Sequence, residues 1–153
     1  LQAMKTAFVG VDHGPRYRID FNSFSHQRLY RDARESDQNE LSYFVTQNPD
    51  GAGYVLARRE DSTIDTEPTR GGRVEIVAAD IEAFDLEYLD GATKTWSPTW
   101  DTQQAAGQPN RLPVQVKITL TVKDPTTPQG RRTLGTRATV PMTYALNHAI
   151  YNP

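Results

Sequence analysis

The sequence predicts an α+β fold that is mainly β, built of antiparallel sheets with little helix of its own. Three observations carry that reading. Residues 114–122 alternate strictly, with Val114, Val116, Ile118, Leu120 and Val122 on one side and Gln115, Lys117, Thr119 and Thr121 on the other. Such a period of two is the mark of a half-buried strand. Shorter runs rich in β-branched and aromatic residues recur between clusters of Gly, Pro, Asn and Asp. Helical periodicity, by contrast, is thin along the whole chain.

Taken in order, "LQAMKTAFVG" (1–10) predicts the tail of a helix stopped by Gly10. Tyr17, Ile19 and Phe21 alternate with Arg16, Arg18 and Asp20, which predicts a strand. Residues 24–41 set Phe24, Leu29 and Ala33 loosely on one side, the best remaining helical signal. Strands are expected at 41–46, 54–59 and 73–78, then at 84–89, where Phe84, Leu86 and Tyr88 alternate with Asp85, Glu87 and Leu89. Asp90-Gly91 ends the last of these with turn chemistry. Pro141 makes the strand at 136–143 an edge strand or one that stops early. Loops fall at 47–53, 60–72, 97–111 and 124–132. At least six strands are therefore expected, with 114–122 internal and its apolar side chains buried. On that expectation Ile118→Asp unfolds or strongly destabilises the domain, because it buries an unpaired charge.

Length and composition bound the function. A chain of 153 residues is expected to form one domain, 1–153, with a single ordinary core. Its charge of −2 is the near cancellation of 17 basic and 19 acidic residues. No basic stripe with interleaved aromatics appears, which argues against nucleic acid as a partner. There is no cysteine, so disulfides, thiolate catalysis and zinc–thiolate sites are all excluded. No run of 18 apolar residues exists and no signal-peptide pattern opens the chain.

Candidates for chemistry are few. His13, His26 and His148 are far apart and lack ligand spacing. No G-x-S-x-G elbow offers a nucleophile. Asp61, Asp65 and Glu67 make an acidic loop that could hold calcium. Thr63 breaks the spacing of an EF-hand loop, however, and a solvated loop with Arg58, Arg59 and Arg70 as ion-pair partners is the plainer reading. Asp85 and Glu87 share one face of a strand, which alternation assigns to water. Trp96 and Trp100 are the sharpest question. With Asp101, Gln103 and Gln104 they could form a carbohydrate platform; equally, they could plug the open end of a sheet. The plug is favoured, since large aromatics are mostly buried. On that reading both indoles pack where the strand at 84–89 meets the strand after Leu112-Pro113.

One series of segments resembles a known family. "YVLARRED" (54–61), "ID" (64–65), "GG" (71–72), "IEAFDLEYLDG" (81–91), "WSPTWD" (96–101) and "LPVQVKITL" (112–120) follow one another as in the J-type minor pseudopilins of the type II secretion system. The resemblance spans about residues 54–122, and the order and spacing of the segments are its specific part. It implies a pilin-like fold, with a long N-terminal helix packed on antiparallel β-structure. The first part of that helix would span the inner membrane after prepilin peptidase cleavage. This sequence opens at Leu1 without the cleavage motif, so it is expected to be the periplasmic globular portion with most of the helix missing. The resemblance further implies a structural subunit of the pseudopilus tip, partnered by minor pseudopilins of the I and K types, with no catalytic residue, cofactor or metal. Two alternatives stand beside it: a minor pilin of a type IV pilus, and a carbohydrate- or peptide-binding β-module using Trp96 and Trp100.

Overall fold

The computed structural model describes residues 2–25, 38–64, 67, 69–142, 144–145 and 147–150. Their strands are β1 (Gln2–Lys5), β2 (Phe8–Val11), β3 (Arg18–Ser23), β4 (Asn39–Gln47), β5 (Tyr54–Asp61) and β6 (Arg73–Ala78). There follow β7 (Ile81–Leu89), β8 (Trp96–Ser97), β9 (Trp100–Asp101), β10 (Gln115–Lys123), β11 (Arg131–Thr139) and β12 (Asn147–Ile150). Every pairing between them is antiparallel. A six-stranded sheet runs β6-β5-β4-β3-β2-β9 and a four-stranded sheet β11-β10-β7-β8, while β1 and β12 form a separate pair. Among the described residues there is no helix, and so none long and apolar enough to cross a membrane.

The two larger sheets share one core. Phe8, Ile19 and Leu56 reach it from the six-stranded sheet, and Phe84, Leu86, Tyr88 and Val116 from the four-stranded one. Alternation explains most of this placement. Phe84, Leu86 and Tyr88 are buried on β7 while Asp85, Glu87 and Leu89 stay half-exposed on the opposite face. The strands expected at 41–46, 54–59, 73–78 and 84–89 are present as β4 to β7. Pro141 also does what was expected: β11 ends at Thr139 and is an edge strand, although it starts at Arg131, inside the expected loop.

Two expectations are corrected, and a third falls largely outside the described residues. Residues 2–5 and 8–11 are strands rather than a helix tail. Gly10 therefore stops nothing; it lies within β2 because the Tyr88 ring rests on its backbone, and a Cβ there would overlap the phenol. Tyr88 is fully buried and cannot step aside. Gly10→Ala is accordingly expected to cost about 1–3 kcal/mol by overpacking, and most of that cost should vanish in a Tyr88→Leu background. Urea denaturation of the single and double variants checks this; equal costs in both backgrounds would refute the contact.

The second correction concerns the alternating strand. β10 is internal, between β7 and β11, as expected. Of its inward series, though, only Val116 is fully buried, while Ile118, Leu120 and Val122 are half-buried and Val114 precedes the strand. Val116 and Ile118 line a groove. An aspartate at 118 would keep some water, so Ile118→Asp is now expected to lower the urea midpoint without unfolding the chain.

The third concerns 24–41. Residues 26–37 lie outside the described residues, and Asn39–Leu41 already belong to β4.

Candidate partner-binding groove

Where the sheets part, the core continues into an apolar groove of about 690 Å³. Phe84, Leu86, Val116 and Ile118 form one wall, and Phe8 and Leu56 belong to the other. Further lining comes from Leu112, Val140 and Met142, and Phe24 and Gln38 also contribute. Among the described residues, no carboxylate, imidazole, ammonium or guanidinium lines the groove. What this arrangement can do is take up an apolar body, and its volume lies within the range of ordinary binding pockets.

The closed end of the core is held by a polar frame. Trp100 is 1% exposed, its ring tilted against Tyr88 and its indole N–H donating to the Arg111 carbonyl at 2.9 Å. The Thr102 hydroxyl accepts from the Phe8 N–H at 3.0 Å, which ties the loop after β9 to β2. Asp90 sits in the turn after β7, accepting from the Ala92 N–H and from Arg111, each at 2.8 Å. Burial alone would push the Asp90 carboxyl up, but the Ala92 N–H and the Arg111 guanidinium outweigh it and hold it below the usual carboxylate range.

That shift has a pH consequence. A carboxyl with a depressed folded pKa adds stability that is present above its unfolded value, about 3.9, and is lost as pH falls through the folded value. Asp90→Asn should therefore lower the urea midpoint at pH 7 and flatten the acid limb below about pH 4. An unchanged acid limb would show that Asp90 is not responsible for it.

The two tryptophans part company. Trp100 is the plug. Trp96 is half-buried in β8, on the outer side of the four-stranded sheet, with the Arg137 guanidinium 5.5 Å from its ring centre. They do not form one flat platform, since one ring is sealed in the core. The Leu112-Pro113 junction is buried beside the plug, as the sequence suggested.

The remaining candidates do not converge. Among the described residues no group of three His, Asp or Glu side chains could hold a metal ion. Asp61 accepts from the Thr63 N–H at 2.8 Å and Glu67 lies 3.8 Å from Arg70, whereas Asp65 lies outside the described residues. Of the expected partners, Arg58 pairs with Glu60 and Glu75, and Arg59 faces Glu40 while also donating to the Arg70 carbonyl of that loop. His13 is exposed, and His26 lies outside the described residues. Glu87 meets Lys117 across the strands at 2.5 Å. Burial, with Asp12 and Glu87 nearby, pushes the Asp85 carboxyl up.

The groove itself was not legible beforehand. Its only sequence signal was an alternating strand more apolar than a small closed core requires.

A family model described as Type II secretion system (T2SS), protein J, matches residues 3–130 of this chain. The chain belongs to that family. No curated protein matches it. The match runs from β1 through the turn before β11, much wider than the segments that first suggested it. It makes this chain a pseudopilin of the type II secretion system, a structural component of protein secretion rather than a member of a known enzyme family, and it decides against the type IV pilus alternative. Membership implies association with the pseudopilus and its other pseudopilins.

Proposed function

We propose that this chain is the single periplasmic globular domain, 1–153, of a minor pseudopilin, acting at the pseudopilus tip through contacts with the I- and K-type minor pseudopilins. The observation that carries the reading is the apolar groove between the two sheets, to which the described residues contribute no charge. A pilin-like architecture packs a long apolar helix on antiparallel sheets, and this groove has the chemistry to seat one. The same helix would anchor the full-length protein in the inner membrane before assembly. A sugar platform built on both indoles finds no support, because Trp100 is sealed in the core.

The test is assembly. The purified periplasmic domains of the J, I and K types from one organism are mixed and run on size exclusion with light scattering. The expected result is a J–I pair that the K-type domain then joins, with modest affinity if the globular contacts amount to a standard interface or less. Three separate monomer peaks at tens of micromolar (about 5–7 kcal/mol of binding absent), unchanged when the helices are extended, would refute it.

A further inference from the structure

The four-stranded sheet ends in an edge of unusual character, of which only Ala138 and Thr139 border the groove. β11 pairs with β10 in unbroken register from Arg131 opposite Lys123 to Thr139 opposite Gln115. All nine of its residues are exposed, and it contains no proline and no acidic residue. Natural edges are commonly blunted by short length, proline, a bulge or charge. Here only charge remains, and it is of one sign.

The direction of each backbone group follows from the ladder. Val140 donates its N–H to the Val114 carbonyl at 3.0 Å, and Asp124 donates to the Gly130 carbonyl at 2.9 Å. Even-numbered residues on this side of the hairpin therefore turn their N–H and C=O toward β10, and odd-numbered ones turn theirs away. Arg131 bears this out. Its N–H donates to the Thr127 hydroxyl at 3.0 Å, and that hydroxyl in turn lies 2.9 Å from its carbonyl. The edge is thus closed at Arg131. Beyond it Thr133, Gly135, Arg137 and Thr139 present outward donors and acceptors that no described backbone group meets.

The side chains select what could pair there. Arg131 and Arg137 lie on one face, and among the described residues neither has a carboxylate partner; the nearby Asp124 and Glu87 are engaged by Arg132 and Lys117. On the other face Leu134 is 53% exposed, beside Thr136 and Ala138. We propose that the free edge of β11 is a docking site for an extended acidic segment of a protein partner, which adds to the sheet as a fifth, antiparallel strand across Thr133–Thr139. Backbone hydrogen bonds would supply binding, and alternate side chains the choice of partner. Carboxylates opposite Arg137 and next to Arg131 would meet the guanidiniums, and apolar residues between them would cover Leu134. The inference does not rest on the secretion reading, and the family match ends at residue 130, one residue before this strand.

The test uses the isotope-labelled full chain and two peptides, Ac-Thr-Val-Glu-Ile-Thr-Val-Glu-NH2 and its counterpart with lysine in place of glutamate. The acidic peptide should saturably shift the amide signals of Thr133, Gly135, Arg137 and Thr139, with a Kd of about 0.1–1 mM. Arg137→Glu should weaken it about tenfold and turn the preference toward the lysine peptide. Gly135→Pro removes only an outward N–H, so it should abolish binding while leaving Tm unchanged. If the proline also lowers Tm, the charge reversal still decides. No saturable shift up to about 5 mM, equal shifts with both peptides, or shifts confined to the groove would overturn the proposal. In that event the arginines are simple guards of the edge.

Discussion

Trp100→Ala is expected to destabilise the domain by about 3–5 kcal/mol, the usual range for removing a fully buried large aromatic. The indole is 1% exposed and fills the closed end of the core between Tyr88 and the buried Leu112. Its removal leaves a cavity and also strips the Arg111 carbonyl of the indole donor. The neighbouring frame suffers too, since Arg111 also holds Asp90. Trp96→Ala is the control. That ring is half-buried on the outer side, so its loss should cost much less. Equal melting temperatures for Trp100→Ala and the parent, together with lost binding to an oligosaccharide panel, would restore the platform reading.

Arg59→Met is expected to cost a comparable amount, about 3–5 kcal/mol, because it takes a guanidinium away from a buried carboxylate. Arg59 lies on β5 with 4% of its side chain exposed, 3.7 Å from Glu40, which is 1% exposed. Its Nε donates to the Ser42 hydroxyl at 3.0 Å and its Nη1 to the Arg70 carbonyl at 2.6 Å. The Ser42 hydroxyl in turn donates to Asp20, which Arg18 grips with two nitrogens at 2.7 Å each. One polar chain thus runs across β3, β4 and β5 on the face turned away from the groove. The Arg59→Met/Glu40→Leu double variant should recover much of the loss, since removing both charges also removes their desolvation cost. Denaturant midpoints of the four proteins measure this directly. A double variant as unstable as the two single losses added together would show that the ion pair is not the source.

The same residues show how far a sequence can be read. Period-two alternation sorted β7 correctly, residue by residue, and it put Asp20 on the face opposite Ile19. What alternation could not say is whether the second face meets water. Asp20 is 3% exposed because its far face is covered as well, and a strand carries no mark of what lies over it. The tryptophans make the same point. Both sit in one turn-rich loop with the same composition around them, yet Trp100 entered the core and Trp96 the outer sheet. That division depends on which strand each short segment joins: β9 pairs with β2, and β8 with β7.

By itself, then, the sequence determined the antiparallel β class, the positions of the long strands other than β11, the turn at Asp90-Gly91, the early end before Pro141 and, through the order of its segments, the family. Each of these depends on neighbours close along the chain: side-chain period, turn residues, and proline's missing donor. The tertiary structure alone decided that residues 2–11 are strands, that Gly10 makes room for Tyr88, and that Ile118 borders a groove instead of a closed core. Those outcomes depend on contacts between segments some eighty residues apart in the chain, as Gly10 and Tyr88 are. Local preference is weak there, and packing overrides it.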